Sequence, residues 1–270
     1  MIMGVGAAVD VHAHVLEAPP APVENVAYQP FAAPVADYLT HLDDLGFARG
    51  VLVNPSAYHS DHTVLLAALR AHPDRLRGVA VLPSTADDAV LDELHDAGVR
   101  GIRVQDRMPG GLAIDELPRW LPRLAERGWH AEVWTGLDEH LPVVRAAVES
   151  GLAPVLLDHL GNLPPGGSGT TTLLELLRAG PSWVCLSGAY RLSPGAAEAD
   201  AAGPLTDRVA AIIETAPDRI VWGSDWPYVA PPGPRPTLTD HESVLARWLP
   251  EPDVRDRVLA TNPALLYGWT

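Results

Sequence analysis

The chain has 270 residues, 47% of them hydrophobic, enough to bury one large core, and its 23 glycines and 27 prolines stay below the level at which an ordered fold becomes doubtful. Lys and Arg number 19 against 34 Asp and Glu, a formal charge of −15 that argues against nucleic acid and anionic membranes as partners and obliges an anionic substrate to find local arginines. A single cysteine, Cys185, no basic leader before the acidic and histidine-bearing start, and no apolar run near the ~20 residues of a membrane span together predict a soluble cytoplasmic protein.

Short β-branched apolar runs recur at 6–11, 50–54, 78–82, 99–104, 130–134, 154–158, 183–187 and 219–223, which makes eight predicted strands. Segments of helical periodicity lie between most of them, at 61–72, 86–98, 115–128 and 140–151, several ending in glycine. Strand and helix alternating in this way predict βα units and a parallel sheet. Eight units fit a closed (β/α)₈ TIM-type barrel over a single domain, 1–270. An open doubly wound sheet is the structural rival, but neither GxGxxG nor GxxxxGK[ST] is present to mark a nucleotide crevice.

Three irregular stretches, 16–35, 161–172 and 227–240, each follow a predicted strand and so belong on the catalytic rim of a barrel, as loops covering the substrate. Mobile surface linker is the plainer alternative for all three, and bears most on the Gly-rich middle one.

The chemistry-bearing residues fall at strand ends. In Asp10-Val11-His12-Ala13-His14, alternate side chains of a strand share a face, so His12 and His14 point together into the mouth, to grip one metal ion or one substrate oxygen. Such a pair arises easily by chance among 11 histidines, and its position carries the weight. Asp158-His159 closes a fully apolar strand, where an ionisable pair is expensive unless satisfied; a capping aspartate beside a packed histidine is the plain alternative. Asp225 follows the last strand as a possible ligand or general base, or merely as a turn cap. In a closed barrel these residues converge, because the first and eighth strands are neighbours.

Arginines at strand ends answer the charge problem. Arg103 and Arg191 are the predicted carboxylate clamps and Arg107 a weaker third, with surface ion pairs as the alternative; Ser56, Tyr58, His59 and Tyr190 add neutral hydrogen bonds or stacking. No GxSxG elbow is present, Cys185 sits inside a strand, and HESVL (241–245) lacks the second histidine of HExxH. Water is then the natural nucleophile.

The segments VDVHAH (9–14), VLVNPSAY (51–58), GIRV (101–104), LLDHLG (156–161), LSGAYRLS (186–193), VWGSDWPY (221–228) and TNPALLYGW (261–269) resemble, in order, the signatures of the amidohydrolase-related family. Within it the likeness falls on the 2-pyrone-4,6-dicarboxylate lactonase group. The resemblance implies a barrel that opens lactones, or related esters and amides, with Asp225 as general base and His159 with an arginine polarising the carbonyl.

It further implies that His12 and His14 hold a divalent metal in many members, although pyrone lactonases work without one. The fifth strand here reads HAEVWT, with Glu132 or Trp134 facing the mouth, and no bridging-lysine motif occurs, which argues against a binuclear site. One divalent ion, zinc by donor type, with ligands from His12, His14, His159 and Asp225, stays open beside a metal-free mouth. A decarboxylase or hydratase on the same scaffold, and a barrel that binds a small acid without turnover, are the rival functions. Substrate identity and oligomeric state are not legible in the sequence.

Overall fold

The computed structural model describes residues 7–18, 23–166 and 169–269. Eight strands form one parallel sheet in chain order: β1 (Val9–Ala13), β2 (Arg49–Val53), β3 (Leu76–Ala80), β4 (Val99–Gln105), β5 (His130–Trp134), β6 (Val155–Leu157), β7 (Ser182–Leu186) and β8 (Ile220–Trp222). Each predicted run contributes a strand, with ends shifted by a few residues; Gly6 lies outside the described residues.

The sheet closes on itself just beyond β8. A parallel bridge pairs Ala13 with Trp226, Asp225 N–H donates to the His12 carbonyl at 2.8 Å, and His14 N–H donates to the Trp226 carbonyl at 2.7 Å. Closure requires close backbone approach: a Cβ at Gly223 would stand 2.5 Å from the His12 Cβ. The rival open sheet is therefore excluded, and the (β/α)₈ barrel stands.

The outer layer contains α1 (Val35–Leu45), α2 (Thr63–Ala71), α3 (Asp88–Asp96), α4 (Leu117–Arg127), α5 (Leu137–Ser150) and α6 (Gly169–Ala179). Two short helices, α7 (Ala189–Leu192) and α8 (Glu198–Ala202), follow β7 before α9 (Thr206–Thr215); α10 (Leu238–Trp248), α11 (Pro252–Asp256) and α12 (Asn262–Tyr267) complete the chain. The four periodic segments read from sequence correspond to α2, α3, α4 and α5. Each buries one apolar stripe, as Leu117, Trp120, Leu121 and Leu124 do on α4.

Two apolar clusters follow from this layering. The larger lies between sheet and helices; the other fills the barrel, where Val11, Val51, Val79, Leu156, Cys185 and Val221 stack above Tyr267 and Trp269. The C-terminal segment thus plugs the floor, leaving the opposite end as the open mouth. Buried among these chains, the Cys185 thiol is pushed well up in pKa, so it stays protonated and inert. No helix among the described residues is long and apolar enough to cross a membrane.

The rim loops differ in what they do. Leu16 and Ala33 exchange backbone hydrogen bonds at 2.9 Å and pack with Val229, so the loops after β1 and β8 form one wall over the mouth. The loop after β6 is instead held from below by Arg208, which donates to the carbonyls of Leu163 and Pro164 at 2.6 and 2.7 Å. Residues 19–22 and 167–168 of these loops lie outside the described residues.

Candidate active site

β1 does not run as a regular strand. Asp10 pairs with Gly50 and Ala13 with Leu52, so β1 carries one extra residue across that interval, a bulge. Without it Asp10, His12 and His14 would share a face. With it Asp10 turns outward to α1, accepting from Tyr38 Oη at 3.2 Å and from Ser224 Oγ at 2.6 Å, while His12 and His14 turn into the barrel. Burial pushes the Asp10 carboxyl up to about 6 against the hydrogen bonds from Ser224 and the His12 N–H.

The two histidines then separate in depth. His14 lines the mouth, and its Nδ1 donates to the Val53 carbonyl at 2.8 Å, which turns Nε2 toward Asp225 Oδ1, 3.8 Å away. His12 lies beneath, edge-on to His14 and His159 at ring separations of 5.1 and 5.0 Å. Its Nδ1 faces Glu132 at 3.2 Å and Asp158 at 3.5 Å, and its Nε2 faces Asp225 Oδ1 at 3.7 Å. Burial disfavours the His12 cation, but Asp158 and Glu132 outweigh it and hold the ring above its usual pKa. His14, buried and beside His12, is pushed down to about 3.

β5 presents His130, Glu132 and Trp134 on one face, so both mouth residues offered by the sequence are inward, Glu132 deep and Trp134 at the cavity wall. Arg103, 5% exposed, joins this layer from β4. Its Nη1 is in close contact with Glu132 Oε1, and its Nη2 lies 2.9 Å from Asp158 Oδ2. Burial opposes charge on both acids. Glu132, nearer the guanidinium, is nonetheless held down at about 2, whereas Asp158 stays raised because burial is joined by the charge of Glu132.

Asp225 stands opposite, wholly buried and in the left-handed region at φ 61, a conformation that non-glycine residues keep only where surroundings enforce it. Its Oδ2 accepts from Tyr190 Oη at 2.6 Å and Arg191 Nε at 2.5 Å. Its Oδ1 has no hydrogen-bond partner among the described residues. Burial resists ionisation, but Arg191, with His12 beyond it, holds the carboxyl far below the usual range.

His159 is likewise left-handed, at φ 46. Its Nδ1 lies 2.8 Å from Ser187 Oγ, its ring packs edge-on to Trp134 at 5.5 Å, and burial keeps it neutral, with a pKa well below the usual value. Asp158 caps the turn by accepting from His159 N–H at 3.0 Å, so the capping role and the buried charged role coexist in one residue. Gly188, at φ 59, makes room for this ring: a Cβ there would stand 2.8 Å from His159 Nδ1.

These groups border a cavity of about 370 Å³, its open mouth included. His14, Arg103, Trp134, His159, Arg191 and Asp225 line its floor and sides, with Tyr28, Asn54, Ser56, Gln105, Met108 and Val229 above. Both guanidiniums lie against the Trp134 indole, at 5.5 Å for Arg103 and 5.7 Å for Arg191.

Of the residues expected from sequence, Ser56 borders the cavity; Tyr190 reaches Asp225 from outside it; and Tyr58 is turned to the β1 loop, its Oη accepting from Glu17 N–H at 2.7 Å. Arg107 lies near Glu139 at 4.0 Å, and His59 caps a short turn through its backbone. Sequence reasoning missed Asn54, Gln105, Tyr28 and the roles of Glu132 and Asp158 as partners of Arg103. An acid two residues before Trp134 on one strand face was the available signal for Glu132.

Two sets of donors among the described residues lie close enough to share an ion, with ligand atoms within 4.8 Å of one another: His12, His14 and Asp225, and His12, Asp158 and His159. The first includes the unpartnered Asp225 Oδ1 and a His14 nitrogen directed by its backbone bond, so its chemistry fits a divalent cation.

Comparison with known proteins gives the family. A 2-pyrone-4,6-dicarboxylate hydrolase of Comamonas testosteroni is 31% identical, the match covering 96% of this chain and 90% of that protein. A 4-sulfomuconolactone hydrolase of Rhizobium radiobacter is 30% identical over 91% of this chain and 84% of its own. The crystal structure of a probable 2-pyrone-4,6-dicarboxylic acid hydrolase from Acinetobacter baumannii, with citric acid bound, superposes with a TM-score of 0.84 at 26% identity, covering 97% of this chain and 100% of that one. The amidohydrolase family model matches residues 9–269, and the chain belongs to that family.

Proposed function

We propose that the protein is a hydrolase that opens the lactone ring of a small carboxylate-bearing substrate with water. The observation that carries this reading is the division of labour on Asp225: Oδ2 is clasped by Tyr190 and Arg191, and Oδ1 is buried, unpartnered and turned toward His12 and His14. Such an oxygen is placed to orient a water and take its proton. The relatives support the substrate class, since a pyrone and a muconolactone are both cyclic esters bearing an acidic group, and the Acinetobacter neighbour holds citric acid, a small polycarboxylate.

In the reaction the water oxygen bonds to the ring carbonyl carbon while its proton passes to Asp225 Oδ1. His159 meets Ser187 Oγ through Nδ1 at 2.8 Å and faces Asp158 Oδ2 through Nε2 at 3.3 Å; in its Nε2–H tautomer the neutral ring can turn that hydrogen to the carbonyl oxygen as charge develops. The ring C–O bond then breaks, and the leaving oxygen recovers the proton from Asp225. Arg191 makes Asp225 a weak base, so its contribution is orientation as much as basicity.

Arg103 and Arg191 supply positive potential for the substrate carboxylate, although each is also committed to a protein carboxylate. His12, His14 and Asp225 would hold a divalent cation, zinc by donor type, which would supply Lewis-acid polarisation and a more acidic attacking water.

A panel of lactones and their open-chain acids, followed by absorbance change on ring opening, tests the function. Hydrolysis of carboxylated lactones in preference to neutral ones is expected; release of CO₂ from an open-chain acid without ring opening would assign a decarboxylase instead. Metal analysis of the protein and of His14→Ala decides whether this face meets an ion or the substrate directly.

A further inference from the structure

The clasp on Asp225 is carried by a segment that is itself held by a distant carboxylate. Glu198, at the start of α8 and 3% exposed, accepts the backbone N–H of Ala189 on Oε1 at 3.2 Å and that of Tyr190 on Oε2 at 2.7 Å. These are first-turn N–H groups of the four-residue α7, which have no partner within their own helix. The support is anchored in turn, since Trp248 Nε1 of α10 donates to the Ala202 carbonyl at the end of α8 at 3.1 Å.

A carboxylate in this place is expensive. Burial pushes it up to about 7 against the two N–H bonds. What it achieves is placement of residues 189 and 190, immediately before Arg191.

We propose that Glu198 is a positioning residue for the reaction at Asp225: by fixing the backbone of Ala189 and Tyr190 it determines where Tyr190 Oη and Arg191 Nε meet Oδ2, and so which oxygen of Asp225 stays free. This rests on the reading of Asp225 as the reacting carboxylate. Glu198 neither borders the cavity nor bonds Asp225, and it acts only through the segment it holds.

The test combines a spectroscopic and a kinetic readout. The Arg191 Nε proton, 2.5 Å from donor to acceptor, gives a deshielded ¹H–¹⁵N signal that is assigned by its loss in Arg191→Lys. In Glu198→Gln one acceptor remains for two N–H groups; the signal is expected to move, and kcat on a lactone that the parent opens to fall about 10- to 100-fold. In a Tyr190→Phe background the same substitution should do less, because one arm of the clasp is already gone. Glu198→Asp, which keeps a carboxylate but draws it back from the two N–H groups, gives the same readouts should the glutamine variant not fold.

An unmoved Arg191 signal in a folded variant, or effects of Glu198→Gln and Tyr190→Phe that simply multiply, overturns the proposal. A moved signal in a protein that opens no lactone supports the placement by Glu198 and overturns the lactone reading instead.

Discussion

The backbone N–H of Asp225 donates to the carbonyl of His12 at 2.8 Å, so the closure of the barrel and the assembly of its mouth are one event. The side chains of the same two residues face each other at 3.7 Å. Gly223 lets the strands approach this closely. Gly223→Ala is expected to lower stability by about 1–3 kcal/mol through overpacking against His12, and to reduce turnover with it. Denaturant midpoints measure the first effect, and a parental midpoint would contradict this account of the closure.

Asp225→Asn keeps the shape of the clasp and removes the proton acceptor. On the proposed role kcat/KM should fall about 10²- to 10⁴-fold while the circular dichroism spectrum is retained. Turnover near the parental value would remove Asp225 from the chemistry.

Arg103 lies between two fully buried acids, Glu132 and Asp158. Arg103→Met leaves only His12 to offset their charges and is expected to destabilise by about 3–5 kcal/mol. Adding Glu132→Gln should restore part of the loss, because it removes one of the stranded charges. Equilibrium unfolding of the single and double variants provides the measurement, and a double variant less stable than the single one sinks the argument.

Glu198 makes stability depend on pH. Its carboxyl is raised to about 7 by burial, above an unfolded value near 4.5, so the folded state binds the proton more tightly. The resulting stabilisation is fully present below about pH 4.5 and is lost as pH rises through about 7. Glu198→Gln has no such proton, so the stability of the parent should fall relative to this variant over that window, by a few kcal/mol on the order of the linkage relation. Parallel unfolding curves with a constant difference from pH 5 to 8 would show that Glu198 ionises normally.

Placement of the site residues was legible because it is local. A strand alternates its faces whatever surrounds it, and the residue just past an apolar strand must emerge at the barrel mouth, which is why His14, His159 and Asp225 could be assigned to one place. Tyr58 shows the limit. It follows a strand like the others, but it bonds to Glu17 in a loop whose path no periodicity encodes.

The sequence by itself determined the eight βα units, their order, and the convergence of His12, His14, His159 and Asp225, because these follow from hydrophobic period and strand ends. Tertiary structure decided the partners. The bulge that turns Asp10 away, the commitment of Arg103 to Glu132 and Asp158, the clasp of Arg191 on Asp225 and the hold of Glu198 on α7 all join residues distant in the chain or depend on one extra residue in a strand. Which charge meets which is set by distances of a few ångströms across a closed barrel interior of low dielectric, and those exist only once the barrel has closed.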